Sequence, residues 1–172
     1  SSIGVAAFGS DWLTPLLNLG WLALALLGGW TMVDGRRRPF GLLAVATVVG
    51  TPLLLAWQPG SARNDLAAAA LVLAALSIAR RSEWQIGPLA LAGAAAGLAL
   101  GAKLSVLAPV AVATVGLPLI APRGRRLRTL VTWCVSMGAT GGFWYIRNWV
   151  RAGNPLPWYR VQLGPIHLPS PP

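Results

Sequence analysis

The chain has 172 residues, of which 55% are hydrophobic, and fourteen Lys and Arg against four Asp and Glu leave it with a net charge of +10. Charged side chains make up 10% of the sequence, against about 25% in ordinary soluble domains, which points away from a water-soluble globule and toward a membrane protein. The cations fall in short clusters between apolar runs, which is a topology signal and excludes a nucleic-acid patch, and one His with four carboxylates excludes a metal cluster or a catalytic triad.

Six apolar segments follow in chain order, at 12–33, 40–57, 66–79, 87–100, 104–121 and 129–146, and the expected fold is an all-α polytopic transmembrane bundle of about six helices. Several segments fall short of the roughly 20 residues that span a bilayer, and their flanks must supply the rest. Residues 64–81 and 84–101 each reach about 27 Å at 1.5 Å per residue, enough with snorkelling arginines. The apolar stretch 87–121 would be about 50 Å long as one helix, so it must turn back, and "GAK" at 101–103 is the natural tip of a hairpin of short helices. Gly93, Gly97 and Gly101 recur every fourth residue on its first arm, a face that lets another helix approach closely.

The connections are "DGRRRP", "QPGSARND", "RRSEWQ", "GAK" and "PRGRRLR". Alternating them across the membrane collects Arg36, Arg37, Arg38, Arg80, Arg81, Arg123, Arg125, Arg126 and Arg128 on one side, which the positive-inside rule makes cytoplasmic. The extracytoplasmic side receives 58–65, 101–103 and 147–172, with Arg63, Lys103, Arg147, Arg151 and Arg160 beside Asp11, Asp65 and His167. Trp12, Trp30, Trp57, Trp84, Trp144 and Trp149 fall near predicted span ends, as interfacial anchors do. Cys134, alone within an apolar run, reads as a packing residue. Residues 1–150 thus form the membrane region, and 151–172, rich in proline, form an outer loop. The start at Ser1, with no charged leader or cleavage site, reads as the interior of a longer protein.

Candidate chemistry is confined to the polar groups at the outer ends of the spans. Asn64 and Asp65 serve either as N-caps for the following helix or, with Arg63, as a charged group that expects a partner or ligand. Lys103, the sole lysine, either snorkels to the interface or presents a compact ammonium to a phosphate. Arg147 and Asn148 continue the sixth helix past "FWY" and either anchor it or bind a phosphate or sugar over an aromatic floor. His167 has no assigned role, and no residue set suggests a metal or other cofactor.

"QPGSARNDLAAAALVLAAL" (58–76), "GLALGAKLSVLAPV" (97–110) and "GGFWYIRNWVRAGNPLPW" (141–158), in that order, resemble the GT-C superfamily of integral-membrane glycosyltransferases, in its protein-mannosyltransferase and ArnT-like branch and its actinobacterial members. The resemblance implies transfer of a sugar from a polyprenyl-phosphate donor to an acceptor on the extracytoplasmic face of a bacterial plasma membrane, by an inverting displacement. It implies a catalytic or metal-associated acidic residue in an outer loop before Ser1, so no catalytic residue is named within this segment. Lys103 and Arg147 match the family's basic positions facing the donor phosphate, Asp65 matches an acidic position at the outer end of a later helix, and Ala102 stands where many members have threonine. Two other classes remain: a transporter or lipid-flippase segment, which should carry an ionisable residue near mid-membrane and has none in the six spans, and a non-catalytic membrane scaffold.

Overall fold

A computed structural model of the chain describes residues 13–50, 65–156, 162–163 and 166–167. Within them lie six α-helices: α1 (Leu13–Met32), α2 (Arg38–Val49), α3 (Asp65–Arg81), α4 (Ile86–Ala102), α5 (Leu107–Ile120) and α6 (Arg126–Ala152). Two strands of two residues, β1 (Gln162–Leu163) and β2 (Ile166–His167), pair antiparallel. The described residues are helical apart from that ladder and the turns between helices. Helix α6 continues two residues past the expected end of the helical region at 150. Residues 51–57 of the expected segment 40–57, with Trp57, lie outside the described residues, as do Asp11, Trp12 and Arg160.

Each helix boundary has a local cause. Helix α3 is built mostly of alanine and leucine, the strongest helix formers, with Asp65 in its first turn and Arg80 and Arg81 in its last, matching the helix dipole at both ends. Short 3-10 turns at Gly35–Arg37, Leu104–Val106 and Arg123–Arg125 lead into α2, α5 and α6. Pro118 stands inside the last turn of α5, where it removes one donor to the carbonyl four residues back, and the helix stops two residues later. Gly153 ends α6 in a left-handed conformation, φ 66°, with its N–H donating to the Trp149 carbonyl at 2.9 Å.

Successive helices run antiparallel, and the contacts at their ends show it. Arg80 Nη1 donates to the Met32 carbonyl and Arg81 Nε to that of Thr31 at 3.0 Å, joining the C-terminal ends of α1 and α3. Arg125 Nη1 donates to the Glu83 carbonyl at 3.1 Å and Arg128 Nη2 to that of Trp84 at 3.0 Å, joining the start of α6 to the α3–α4 turn. All nine arginines of the three basic connections therefore sit at one end of the bundle, as the alternation of segments predicts. Asp65, Lys103, Arg147 and Arg151 are at the other. The chain does reverse at Lys103, whose backbone is extended between α4 and the turn into α5, but the two arms barely pack on each other. Helix α4 instead packs on α6, which runs parallel to it, and on α3.

The α4–α6 seam is made by glycine. A Cβ at Gly93 would stand 2.7 Å from the Trp133 carbonyl oxygen, and one at Gly97 would stand 3.0 Å from the Gly141 nitrogen. Gly101 is less confined, with Trp144 3.8 Å away. Backbones this close admit side-chain bonds between helices: Thr140 Oγ1 donates to the Ala94 carbonyl at 2.9 Å and Tyr145 Oη to that of Leu100 at 3.0 Å.

Small residues fill the interior and large ones cover the outside. The central cluster comprises Ala75, Ala79, Ala92, Ala96, Val110, Ala113, Leu117 and Trp133, with Cys134 packed half-buried against it as expected. Trp133 is 1% exposed, and its indole N–H donates to Thr114 Oγ1 at 2.9 Å, which fastens α5 to α6. Val112, Ile120, Leu127, Phe143 and Val150 are each more than 60% exposed. Helix α1 is, among the described residues, the one helix long and apolar enough to cross a membrane by length and composition, through Pro15–Met32. Ile86–Ala102 and Leu104–Ile120 are apolar but shorter.

One turn carries backbone strain. Glu83 and Trp84 adopt φ of 48° and 61°, a left-handed conformation that costs a side-chain-bearing residue about 1–2 kcal/mol. Ser82 braces the turn, its hydroxyl donating to the Ala79 carbonyl at 2.7 Å and accepting from the Trp84 N–H at 3.2 Å. Glu83 is exposed, so Glu83→Gly relieves strain without losing packing. We expect a gain of about 0.5–1 kcal/mol, partly offset by the flexibility of glycine in the unfolded chain. Thermal unfolding in detergent checks it, and a lower midpoint than the parent's would refute the strained turn.

Candidate functional site

At the end of the bundle away from the nine arginines, the last turn of α4, the turn after it and the last turns of α6 enclose a cavity of about 500 Å³. Its wall includes Lys103, Trp144, Tyr145, Arg147, Asn148 and Leu156. The spacing along α6 explains the set. Gly141 holds that helix against α4, and Tyr145 and Asn148, four and seven residues further on, continue the same face to the point where α4 ends. Helix α4 stops at Ala102 because the backbone turns extended at Lys103, so the lysine is delivered to the cavity mouth rather than along a helix side.

Arg147 lies over the indole of Trp144, 5.2 Å from guanidinium carbon to ring centroid, a stacked cation worth about 0.5–1 kcal/mol at an exposed position. Phe143 meets the same indole edge-on with centroids 5.2 Å apart. Trp144 thus supports the guanidinium on one face, with Phe143 packed behind the indole. Tyr145 closes the inner wall by donating to the Leu100 carbonyl, one of the carbonyls that the end of α4 leaves unpaired within the helix.

Asn148 Nδ2 donates to the Pro155 carbonyl at 3.4 Å, and the wholly buried Asn154 accepts the Leu156 N–H at 2.8 Å on its side-chain oxygen. Through them the chain leaving α6 folds back over the cavity and brings in Leu156. Asn148 therefore has a structural task as well as a place on the wall.

Lys103 Nζ is paired with Asp65 Oδ1, and both side chains are partly exposed. Asp65 is the first residue of α3, so its carboxylate also lies at the positive end of that helix. The helix begins one residue earlier than expected, so Asp65 is its first residue rather than the cap before it, and the cation it meets in the structure is Lys103. Arg63 and Asn64 lie outside the described residues, as does the side chain of His167. Arg151 is exposed and is not part of the cavity wall.

Of the expected site residues, Lys103, Arg147 and Asn148 come together on one wall, with Asp65 attached through Lys103. Tyr145 was not singled out by sequence. Its position four residues after Gly141, on the face that glycine marks as the α4 contact, is the signal that identifies it. Among the described residues no group of three or more His, Cys, Asp or Glu could hold a metal ion. Chemically the site offers one ammonium shared with a carboxylate, one stacked guanidinium, an amide and an apolar aromatic floor. That set suits an anion carrying an apolar or sugar portion. No family model matches the chain, and no curated protein or solved structure matches it.

Proposed function

We propose that the chain is a membrane-embedded part of a glycosyltransferase of the GT-C type, which moves a sugar from a polyprenyl-phosphate donor to an acceptor on the extracytoplasmic face of a bacterial plasma membrane. The observation that carries this is a cavity lined by both Lys103 and Arg147, the latter over the Trp144 indole, at the end of the bundle with few charges. A lipid-linked sugar phosphate has the matching parts: a phosphate for the two cations, a sugar for the amide and an apolar chain for the floor.

The inverted packing supports the membrane setting. Alanine and glycine inside, with leucine, valine, isoleucine and aromatics outside, is how helices pack where the solvent is itself apolar. Helix α6, with 27 residues or about 40 Å, exceeds the hydrocarbon thickness of about 30 Å, so its charged ends, Arg126 to Arg128 and Arg147 to Arg151, extend into the two interfaces. Segments 12–33, 66–79, 87–100, 104–121 and 129–146 then span the bilayer with 40–57. The arginine-bearing end faces the cytoplasm, and 58–65, 101–103 and 147–172 face outward.

In this mechanism the acceptor's nucleophilic atom bonds to the sugar's anomeric carbon and gives up its proton to a base outside this segment, while the bond from that carbon to the phosphate oxygen breaks and negative charge gathers on the departing lipid phosphate. Lys103 and Arg147 stabilise that charge in place, without solvent reorganisation. The partly exposed Asp65–Lys103 pair is worth about 0–1 kcal/mol, so an arriving phosphate can share or take over the ammonium. The test is sugar transfer from a polyprenyl-phosphate donor by the full-length protein reconstituted in lipid, compared with Lys103→Ala and Arg147→Ala. Transfer that persists at the parent rate in both variants removes the site assignment. A protein that instead moves the intact lipid across the bilayer without cleaving it is a flippase.

A further inference from the structure

A second groove lies at the opposite, arginine-bearing end of the bundle. Helices α1 and α3 approach where Gly28 faces Leu73 and leave beside that contact a groove of about 340 Å³, walled by Leu24, Leu27, Ala74, Ile78 and Pro88, with Arg81 at its mouth. The two hydroxyls on its wall are already committed to backbone. Ser77 donates to the Gly28 carbonyl at 3.0 Å and the Leu73 carbonyl at 2.7 Å, and Thr31 to those of Leu27 and Gly28 at 2.8 and 3.0 Å. A groove without free polar partners holds water poorly, and its natural occupant is a hydrocarbon chain.

The mouth has the opposite character. Arg80 and Arg81 share a single carboxylate, Asp34, at 2.5 and 3.2 Å, so one guanidinium charge is left uncompensated. The exposed Arg36 and Arg37 follow on the next turn of chain. A dry groove ending in excess positive charge at the membrane interface is complementary to a lipid with a negative headgroup, and basic pockets between transmembrane helices bind such headgroups. The groove is too small for a helix, whose diameter with side chains is about 10–12 Å.

We infer that this groove is a binding site for an anionic glycerophospholipid, one acyl chain lying between α1 and α3 and the phosphate resting on Arg81. The site rests on the membrane setting proposed above and is independent of sugar transfer, since it lies at the other end of the bundle from Lys103 and Arg147.

The experiment is native mass spectrometry of the full-length protein released from a non-ionic detergent after titration with phosphatidylglycerol, with phosphatidylcholine of the same acyl chains, or with water-soluble glycerol 3-phosphate. One phosphatidylglycerol per chain should be retained, with an affinity at least about fivefold above that for phosphatidylcholine, and glycerol 3-phosphate should not be retained. Arg81→Gln should lower phosphatidylglycerol to the level of phosphatidylcholine. Leu27→Trp, made at a side chain that is 59% exposed and so outside the core, should fill the groove and weaken both lipids. Arg123→Gln, at the same end but away from the groove, should change nothing.

Equal retention of the two lipids overturns the site, as does equal loss from Arg81→Gln and Arg123→Gln, or full retention in Leu27→Trp. A full-length protein that stays monodisperse without detergent overturns the membrane setting itself, a distinct failure.

Discussion

Gly97→Ala should destabilise the bundle by about 2–3 kcal/mol, whereas Gly138→Ala, the same change one helix away, should stabilise it by up to about 1 kcal/mol. Both positions are in helix interiors, where alanine is intrinsically preferred by about that last amount. At Gly138 a Cβ meets nothing within 4 Å, so propensity alone acts. At Gly97 it lies 3.0 Å from the Gly141 nitrogen and nearer still to the Met137 carbonyl oxygen and Thr140 Oγ1. The obstacles are backbone and a hydroxyl held by its bond to the Ala94 carbonyl, so α4 must back away from α6. That movement also lengthens the bond from Tyr145 to the Leu100 carbonyl and widens the cavity. Unfolding in mixed micelles measures both variants, and equal stability would mean that α4 and α6 are not in backbone contact.

Lys103→Ala and Arg147→Ala should each lower sugar transfer by roughly 10²–10³-fold in the full-length protein, the usual cost of removing one preorganised group from a developing negative charge. Membrane insertion should be unchanged, because both side chains are at the rim of the bundle rather than in its core. Lys103→Arg should restore only part of the rate, since a planar fork does not replace a compact ammonium at the same position. Asp65→Asn should have a smaller effect than Lys103→Ala, as it leaves the ammonium in place and removes only the carboxylate that shares it. Arg151→Ala is the control, an exposed cation on the same helix that is not in the cavity wall. Loss of transfer in Arg151→Ala to the same degree would shift the effect from the cavity to the general charge of that end.

Much of the fold is legible in the residue order because its causes are local. Charged clusters separate the apolar segments, Gly153 and Pro155 stop α6, and "GAK" breaks what would otherwise be an impossibly long helix. The glycine spacing in α4 marks the one face of that helix which differs from the others. The collection of nine arginines at one end follows from alternation, since each short connection must return the chain to the end it left.

The site was less legible. That Lys103 lies beside Arg147 and Asn148 depends on the depth and rotation at which α4 meets α6, and α4 is apolar all round apart from its glycines. A helix with no polar face has no preferred direction of burial that its own sequence can express. The ion pair between Asp65 and Lys103 joins the start of α3 to the end of α4. The order of residues allows Asp65 an equally sound task as a helix start, and only the packing of α3 against α4 selects its partner. The same holds for Arg125 and Arg128, which as a sequence are one more basic loop and in the fold hold the carbonyls of the strained turn at Glu83 and Trp84.

What the sequence determined by itself, then, is the set of helices, their turns and the segregation of charge between two ends, all of which arise from short-range pattern and from the length of each segment. The tertiary structure alone decided which end residues touch, where the two grooves open and which carbonyls each side chain satisfies. Those contacts join residues distant along the chain, and close packing of small side chains sets them to within an ångström, a precision that periodicity along a single helix does not contain.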